Sequence, residues 1–428
     1  MGRELKPRIL KYEIKDGDAG RTIKEFLMQR VGFSSRQLSR FKYRKDGLLL
    51  NGEKRYVNAL LEAGDVLQIR LTQGGEPVEE HPHDALIRSK GSLAKAEEAE
   101  FEREIQTGYL PARDGRLQKI WVRPAAWLSE RFPLRILYED EDILAADKPS
   151  GVVCHPSPGH FDDTLSNQVA EHLGRVGQEL DVRVTGRLDR DTSGIVVFAL
   201  NTETAAQLIR QRQAQMMDKI YIARVEGHFS GHSHARGGSG ENRKDDAAVP
   251  DHDWFSSRHD GMAGTIDLPL RRESGDSFRM VVAADGKKAR THYRILGELP
   301  DGTSLAACRI EQGRTHQIRV HMMSIGHPIV GDMLYGTGQA FHDPHNSGES
   351  FSLCAGTLGH GVPMMLHAWR SKMVQPFTGE EILLEAPLPH WAMEEEIFIR
   401  CIDDIFTLRG NKSITNLQKN GLPGTRGV

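Results

Sequence analysis

Residues 182–200 read VRVTGRLDRDTSGIVVFAL. β-Branched and apolar residues crowd both ends, while the centre is polar and holds Arg187, Asp189, Arg190, Asp191 and Thr192. Such a pattern predicts two strands joined by a turn that presents a carboxylate among guanidinium groups. A carboxylate in a turn ordinarily serves as a local hydrogen-bond acceptor; a nucleophilic or electrostatic role is the alternative. Outward from this stretch, strand-like runs occupy 135–146, 152–155, 194–200, 219–225, 278–282, 289–296, 304–311 and 381–385, and the clearest helical pattern is 202–213. Strands broken by Gly, Pro and Asp without regular helix alternation predict an α+β fold with a mixed, mainly antiparallel sheet.

The chain has 428 residues, 38% of them hydrophobic and 27% charged, which suits two or three soluble domains with cores that need no staple. No apolar run nears the roughly 18 residues of a membrane span. The amino terminus, MGRELKPRILKYEIKDGD, has no apolar stretch behind its basic residues, so no secretory signal is predicted. A cytoplasmic protein without membrane attachment is the expectation. Cys154, Cys308, Cys354 and Cys401 lie far apart and form no C-x-x-C pair, arguing for free thiols and against a structural metal site.

The net charge of −3 hides local patches. Between Arg21 and Arg55 ten Lys or Arg face three acids, a local +7, dense enough for a phosphate-binding surface or for a merely solvated face. Ile23, Phe26, Leu27 and Val31 follow helical spacing; Ser34-Ser35 offers an N-cap to a second helix carrying Leu38 and Phe41. Short strands follow around the turn Asn51-Gly52 and over 66–71. Residues 76–104 reverse the balance, with nine acids against four bases. The segment KAEEAEFEREIQ there favours helix. Residues 229–262, rich in Gly, Ser, His and Asp, predict a mobile insertion.

A second polar constellation, EQGRTHQIRVHMMSIGHPIVG, spans 311–331. Thr315 can cap a helix that ends at Gly326. His316 and His321, five apart, diverge by about 140° on a helix and cannot share one metal ion. No dinucleotide fingerprint after a strand and no phosphate-binding loop occurs, so neither cofactor nor metal is predicted.

These stretches carry a resemblance. GRLDRDTSG is similar to the central HRLDxxTSG motif of the RluA-type pseudouridine synthases, and QGRTHQIRVHMMSIGHPIVGDMLYG to their later motif. ILYEDEDILAADKPSGVVCHP, MMDKIYIARVEG, GTIDLPL, KKARTHYRIL and LHAWRSKMVQPFTGEEILLEAPLP match in order, from about 134 to 389. Gly186 stands where these enzymes usually have His, as in the RsuA-type branch. The run from Gly20 to Leu71 resembles the small RNA-binding domain first described in a ribosomal protein of the small subunit, although RTI replaces the usual RLD after the glycine.

The resemblance implies a small α/β RNA-binding domain over 12–72, an acidic linker or insertion over 73–131, a catalytic domain over 132–404 and a tail over 405–428. It assigns Asp189 as the essential carboxylate, Tyr221 as the ring that stacks on the target base, Arg319 as the ion-pair partner of Asp189, and Arg187 to nucleotide positioning. Arg36, Arg40, Lys42, Arg44 and Lys45 would contact RNA phosphates. The implied reaction breaks the N-glycosidic bond of a uridine, turns the uracil and rejoins it through carbon, with Asp189 either attacking the sugar or removing a proton from it. The implied partner is RNA, ribosomal (23S-type) in preference to transfer RNA, and the implied state a monomer. A transfer-RNA synthase and a non-catalytic RNA-binding assembly factor are the rival readings. A zinc deaminase is excluded, because the H-x-E and P-C-x-x-C pair is missing.

Overall fold

A computed structural model describes residues 8–44, 46–71, 109–111, 117–119, 126–157, 160–176, 182–229, 262–274, 279–336 and 362–393. The chain divides into two compact units, Met1–Ile220 with Glu349–Pro363 and His367–Pro387, and Tyr221–Gly348 with Met364–Leu366 and Leu388–Val428.

The first unit opens with a small α/β module. Strands β1 (Ile9–Glu13), β2 (Leu48–Leu50), β3 (Glu53–Lys54) and β4 (Val66–Arg70) pair in the order β1-β4-β2-β3, all antiparallel. β1 takes the module ahead of residue 12. Asn51 and Gly52 join β2 to β3 with φ of 52° and 82°, the consecutive positive values that a two-residue hairpin demands. Thr22 and Glu25 form a capping box at α1 (Ile23–Glu25), whose continuation over Phe26–Arg30 widens to a π-turn. Ser34 and Gln37 form a second capping box at α2 (Ser35–Tyr43), the N-cap that the sequence predicts. Ile23, Phe26, Leu27, Leu38 and Phe41 bury against Leu48, Leu67 and Ile69, each contributing about 1.5–3 kcal/mol.

A short pair, β5 (Tyr109–Pro111) with β6 (Leu117–Lys119), precedes α3 (Ala126–Arg131). The remainder of this unit is a mixed sheet of β7 (Arg135–Glu139), β8 (Ile143–Lys148), β10 (Ser193–Ala199) and β17 (Leu366–Val374), with β9 (Arg183–Val184) on β10 and β18 (Glu381–Glu385) on β17. β10 runs antiparallel to β8 and parallel to β17. The single run expected over 135–146 is two strands, because the Asp140 carboxylate accepts the amides of Asp142 (2.8 Å) and Ile143 (2.6 Å) and closes a turn. Gly194 has φ +104°, and a Cβ there would lie 2.2 Å from the carbonyl oxygen of Ala368; the parallel crossing requires glycine. Helix α5 (Thr202–Gln213), capped by Asn201, matches the predicted range and packs Ala205 and Leu208 on Ile195, Val197 and Met373. Helix α4 (Leu165–His172) was not anticipated, and 152–155 form a loop rather than a strand.

In the second unit, β11 (Asp218–Glu226, from Tyr221 on), β12 (Ala263–Asp267), β15 (Arg290–Glu298) and β16 (Thr303–Ile310) pair in the order β12-β15-β16-β11. β13 (Leu270–Arg272) and β14 (Met280–Val282) form a separate antiparallel pair. Helix α6 (Gln317–Ser324) starts one residue later than a Thr315 cap would have it: His316, at φ 55°, is the N-cap, and no side chain caps it. Gly326 at φ +88° closes its far end. Val320 of α6 packs with Leu270, Ala289 and Tyr335. The predicted helix in KAEEAEFEREIQ, the bulk of the predicted insertion (230–261) and the tail lie outside the described residues. Among the described residues no helix is long and apolar enough to cross a membrane.

Candidate active site

The turn bearing Asp189 is held by its backbone. Lys148, at the end of β8, is fully buried and donates its ammonium to the carbonyls of Arg190 (2.7 Å), Val152 (2.7 Å) and Pro149 (2.9 Å). Gly151 N donates to Arg190 O at 2.9 Å, and Ser150 Oγ to Asp191 O at 2.7 Å. Cys154 Sγ lies 3.3 Å from both the amide and the carbonyl of Leu188. Residues 148–154 therefore clamp 188–191 on both sides of Asp189, and 152–155 lie outside the sheet. Desolvation pushes the Lys148 pKa down to about 8, opposed by Cys154 and by the carboxylates of Asp191 and Asp189. The same side chain thus supplies charge beneath the turn and three anchoring bonds.

Asp189 is half-exposed and Arg187 exposed. Arg190 turns to Asp191, with Nε 3.0 Å from Oδ1. Burial, with the Arg187 charge second, pushes His155 down to about 4, keeping that ring neutral near pH 7. A Cβ on Gly186 would meet nothing within 4 Å, so packing does not demand glycine beside Arg187.

In the second unit, Tyr221 is buried on β11. Arg319 of α6 is likewise buried, not on a solvated face, and grips Asp332 at two points, Nε to Oδ2 at 2.6 Å and Nη2 to Oδ1 at 2.8 Å. Asp332 Oδ1 also accepts the amides of Leu334 (2.9 Å) and Tyr335 (3.1 Å), and the Tyr335 ring centroid lies 5.0 Å from the guanidinium. The Tyr335 hydroxyl accepts the Met280 amide and contacts His316 Nδ1 at 2.8 Å. His321 bonds instead to Thr291 Oγ1 and Leu268 O, both at 2.9 Å. The two histidines serve separate packing roles, and among the described residues no group of three His, Cys, Asp or Glu could hold a metal ion.

Arg36 lies on α2, with Arg40 and Lys42, both partly exposed, further along it and Arg44 at its C-cap; Lys45 lies outside the described residues. Lys148, Asp332 and Tyr335 were not singled out from sequence, although all sit inside motifs that were: ADKPSG and GDMLYG.

A model of the RNA pseudouridylate synthase family matches residues 142–324, which include Asp189, Tyr221 and Arg319. The chain is 35% identical over 261 residues to ribosomal large subunit pseudouridine synthase D of Nitrosomonas europaea, covering 61% of this chain and 64% of that protein. It is 35% identical over 263 residues to the protein of the same name from Pseudomonas aeruginosa, covering 61% and 71%. An uncharacterized RNA pseudouridine synthase of Bacillus subtilis is 34% identical over 304 residues, covering 69% and 76%. The solved structure of human RNA pseudouridylate synthase domain containing 1 aligns with a TM-score of 0.43 at 23% identity, covering 66% of this chain and 96% of that one. This chain belongs to the RNA pseudouridylate synthase family.

Proposed function

We propose that the chain is an RNA pseudouridine synthase, an isomerase that converts uridines of large-subunit (23S-type) ribosomal RNA to pseudouridine. The observation that carries the reading is the clamped turn: one carboxylate, Asp189, held half-exposed on a backbone fixed from both sides, within the stretch shared with the family. The ribosomal substrate is supported by the names of the Nitrosomonas and Pseudomonas relatives.

In this reading Asp189 attacks the ribose or takes a proton from it, the N-glycosidic bond opens, the uracil turns, and a carbon–carbon bond closes. A base stacked in a helix is out of reach, so the target is flipped out, with Tyr221 replacing its lost stacking. Arg319 takes the cationic role that the motif order gives it, and Asp332 and Tyr335 fix the position and orientation of its guanidinium plane. Arg187, exposed beside Asp189, holds the nucleotide, and the α2 cations bind phosphates. The enzyme acts as a monomer in the cytoplasm and uses no cofactor. Position-resolved mapping of pseudouridine in total RNA from cells with and without the protein tests this. The expected outcome is loss of one or more sites in large-subunit rRNA; a loss confined to transfer RNA would replace the substrate, and no loss at all would remove the enzymatic reading.

A further inference from the structure

Within the first unit, Asp142 is the point at which the N-terminal module meets the strand-rich domain. Its side chain is fully buried and receives donors from three separate parts of the chain. Arg8 contributes Nη2 at 2.9 Å and Nε at 3.2 Å, Asn201 contributes Nδ2 at 3.0 Å, and Gln375 contributes Nε2 at 3.1 Å. Arg8 stands just ahead of β1, and its carbonyl accepts the amide of Leu71 at 2.9 Å, so its backbone is part of the module. Asn201 is the residue that caps α5. Gln375 accepts the amides of Phe377 (2.6 Å) and Thr378 (2.9 Å), a turn that places Phe377 against the module's core with its ring 6.2 Å from Phe33.

A second set of contacts lies further along α5. Gln207 Nε2 donates to the carbonyls of Val31 (2.8 Å) and Gly32 (3.1 Å), and Arg210 donates to Gly32 as well. Gly32 has φ +80°, and a Cβ there would come within 3.1 Å of Gln207. The left-handed backbone favours glycine at that position, and a side chain there would also crowd the Gln207 amide that bridges module and domain.

A buried carboxylate is tolerated only when its donors are all in place, because each one withdrawn leaves charge without compensation. Donors that come from both module and domain are all in place in one relative orientation only. We propose that Arg8 and Asp142 are positioning residues that lock the N-terminal module onto the strand-rich domain, so that helix α2 and the Asp189 turn meet one RNA as a single preorganised surface. The RNA part rests on the function proposed above. A locked pair of binding surfaces avoids the ordering entropy that a flexible tether loses on every encounter. It also restricts substrates to those whose phosphates and target uridine lie at the matching separation.

The test pairs hydrogen exchange on the full chain, read by mass spectrometry, with steady-state turnover on two RNAs: a large-subunit rRNA fragment long enough to reach α2 and a short hairpin that is not. Arg8→Ala and Gln207→Ala are each expected to speed exchange in peptides spanning 31–38 and 375–380. They should raise KM for the long fragment about tenfold, or ~1.4 kcal/mol, and leave kcat and the hairpin constants within about twofold. Arg8→Lys, with one compact donor group, should fall between. Should Arg8→Ala fail to fold, Gln207→Ala carries the same readouts. Unchanged exchange overturns the lock; faster exchange with an unchanged KM overturns its role in positioning RNA. A wild-type chain inactive on both RNAs would sink the functional reading instead, and the exchange data would still decide whether the module is docked.

Discussion

Arg319 and Asp332 meet through two charge-assisted hydrogen bonds, 2.6 and 2.8 Å long, with the carboxylate wholly buried. Bidentate geometry fixes the plane of the guanidinium as well as its position. Asp332→Asn keeps the shape and removes the charge, leaving a buried cation without its counter-ion. The expected cost is about 3–5 kcal/mol of stability, read as a lowered urea midpoint with an unchanged slope, together with a fall in kcat. Arg319→Lys should not restore either property, because an ammonium cannot span both oxygens. A variant with wild-type stability and turnover would mean that the pair holds nothing in place.

Asp189→Asn is expected to abolish pseudouridine formation while leaving the urea midpoint and RNA affinity near wild type. The backbone of the turn is held by Lys148, Ser150, Gly151 and Cys154, so its conformation does not depend on the charge of the side chain. Release of tritium from 5-tritiated uridine in RNA measures the turnover. Substantial residual activity would reassign the carboxylate to turn formation.

How much of this was legible in the sequence follows from where the free energy lies. Helix α5 is predictable because an Asn cap, a 3.6-residue apolar pattern and good helix formers agree. The Asn51-Gly52 hairpin is equally local, since both residues tolerate positive φ. β17 was missed as a strand because LHAWRSKMV carries two cations. Arg370 is nevertheless buried, paired with Glu385 of β18 and stacked 3.9 Å from the Trp369 ring, compensation that no pattern along one strand reveals. Lys148 and Asp332 escaped notice for the same reason: charged residues are seldom buried, and Arg190, whose carbonyl Lys148 holds, and Arg319, which pairs with Asp332, lie 42 and 13 residues away in sequence. Val152–His155 reads as a strand because it is apolar, but its burial comes from clamping 188–191. Motif order alone singles out Asp189, Tyr221 and Arg319, while what holds Asp189 and Arg319 in place became visible only in three dimensions.

Acid should destabilise the fold through His367. Burial, partly opposed by a bond to the Pro387 backbone, pushes its pKa down to about 4, and Ser193 Oγ lies 2.8 Å from Nδ1. The unfolded chain takes up this proton near pH 6.5, whereas the folded chain does so only near 4. The unfolded state therefore binds more protons across that window, and stability falls as pH drops from 6.5 to 4, by up to roughly 3 kcal/mol for this residue. His367→Asn should flatten the pH dependence of the urea midpoint in that window, whatever it does to absolute stability. An unchanged slope would show that the ring protonates in the folded state as readily as in the unfolded one. His155, pushed down to about 4 as well, and His321, also pushed down by burial, contribute to the slope that remains.

The α2 cations are best tested by salt, because a solvated basic face and a phosphate-binding one differ in their counterions and not in their appearance. Each phosphate neutralised releases condensed cations, so log K falls with log salt by about 0.7 to 0.9 per contact. Arg40 and Lys42 on α2 and Arg44 at its end are partly exposed, while Leu38 and Phe41 carry the packing of the same helix on the module's core, so the substitutions spare those core side chains. Changing all three to Gln should reduce the magnitude of the slope on a large-subunit rRNA fragment by about 2 to 3 and weaken binding most at low salt. Filter binding at several salt concentrations, with the melting temperature as a check on folding, measures both. The loss should be uniform across RNA sequences, as expected for contacts that position and do not specify. A triple variant with the wild-type slope would leave α2 as solvated surface and move the phosphate contacts to the exposed arginines around Asp189.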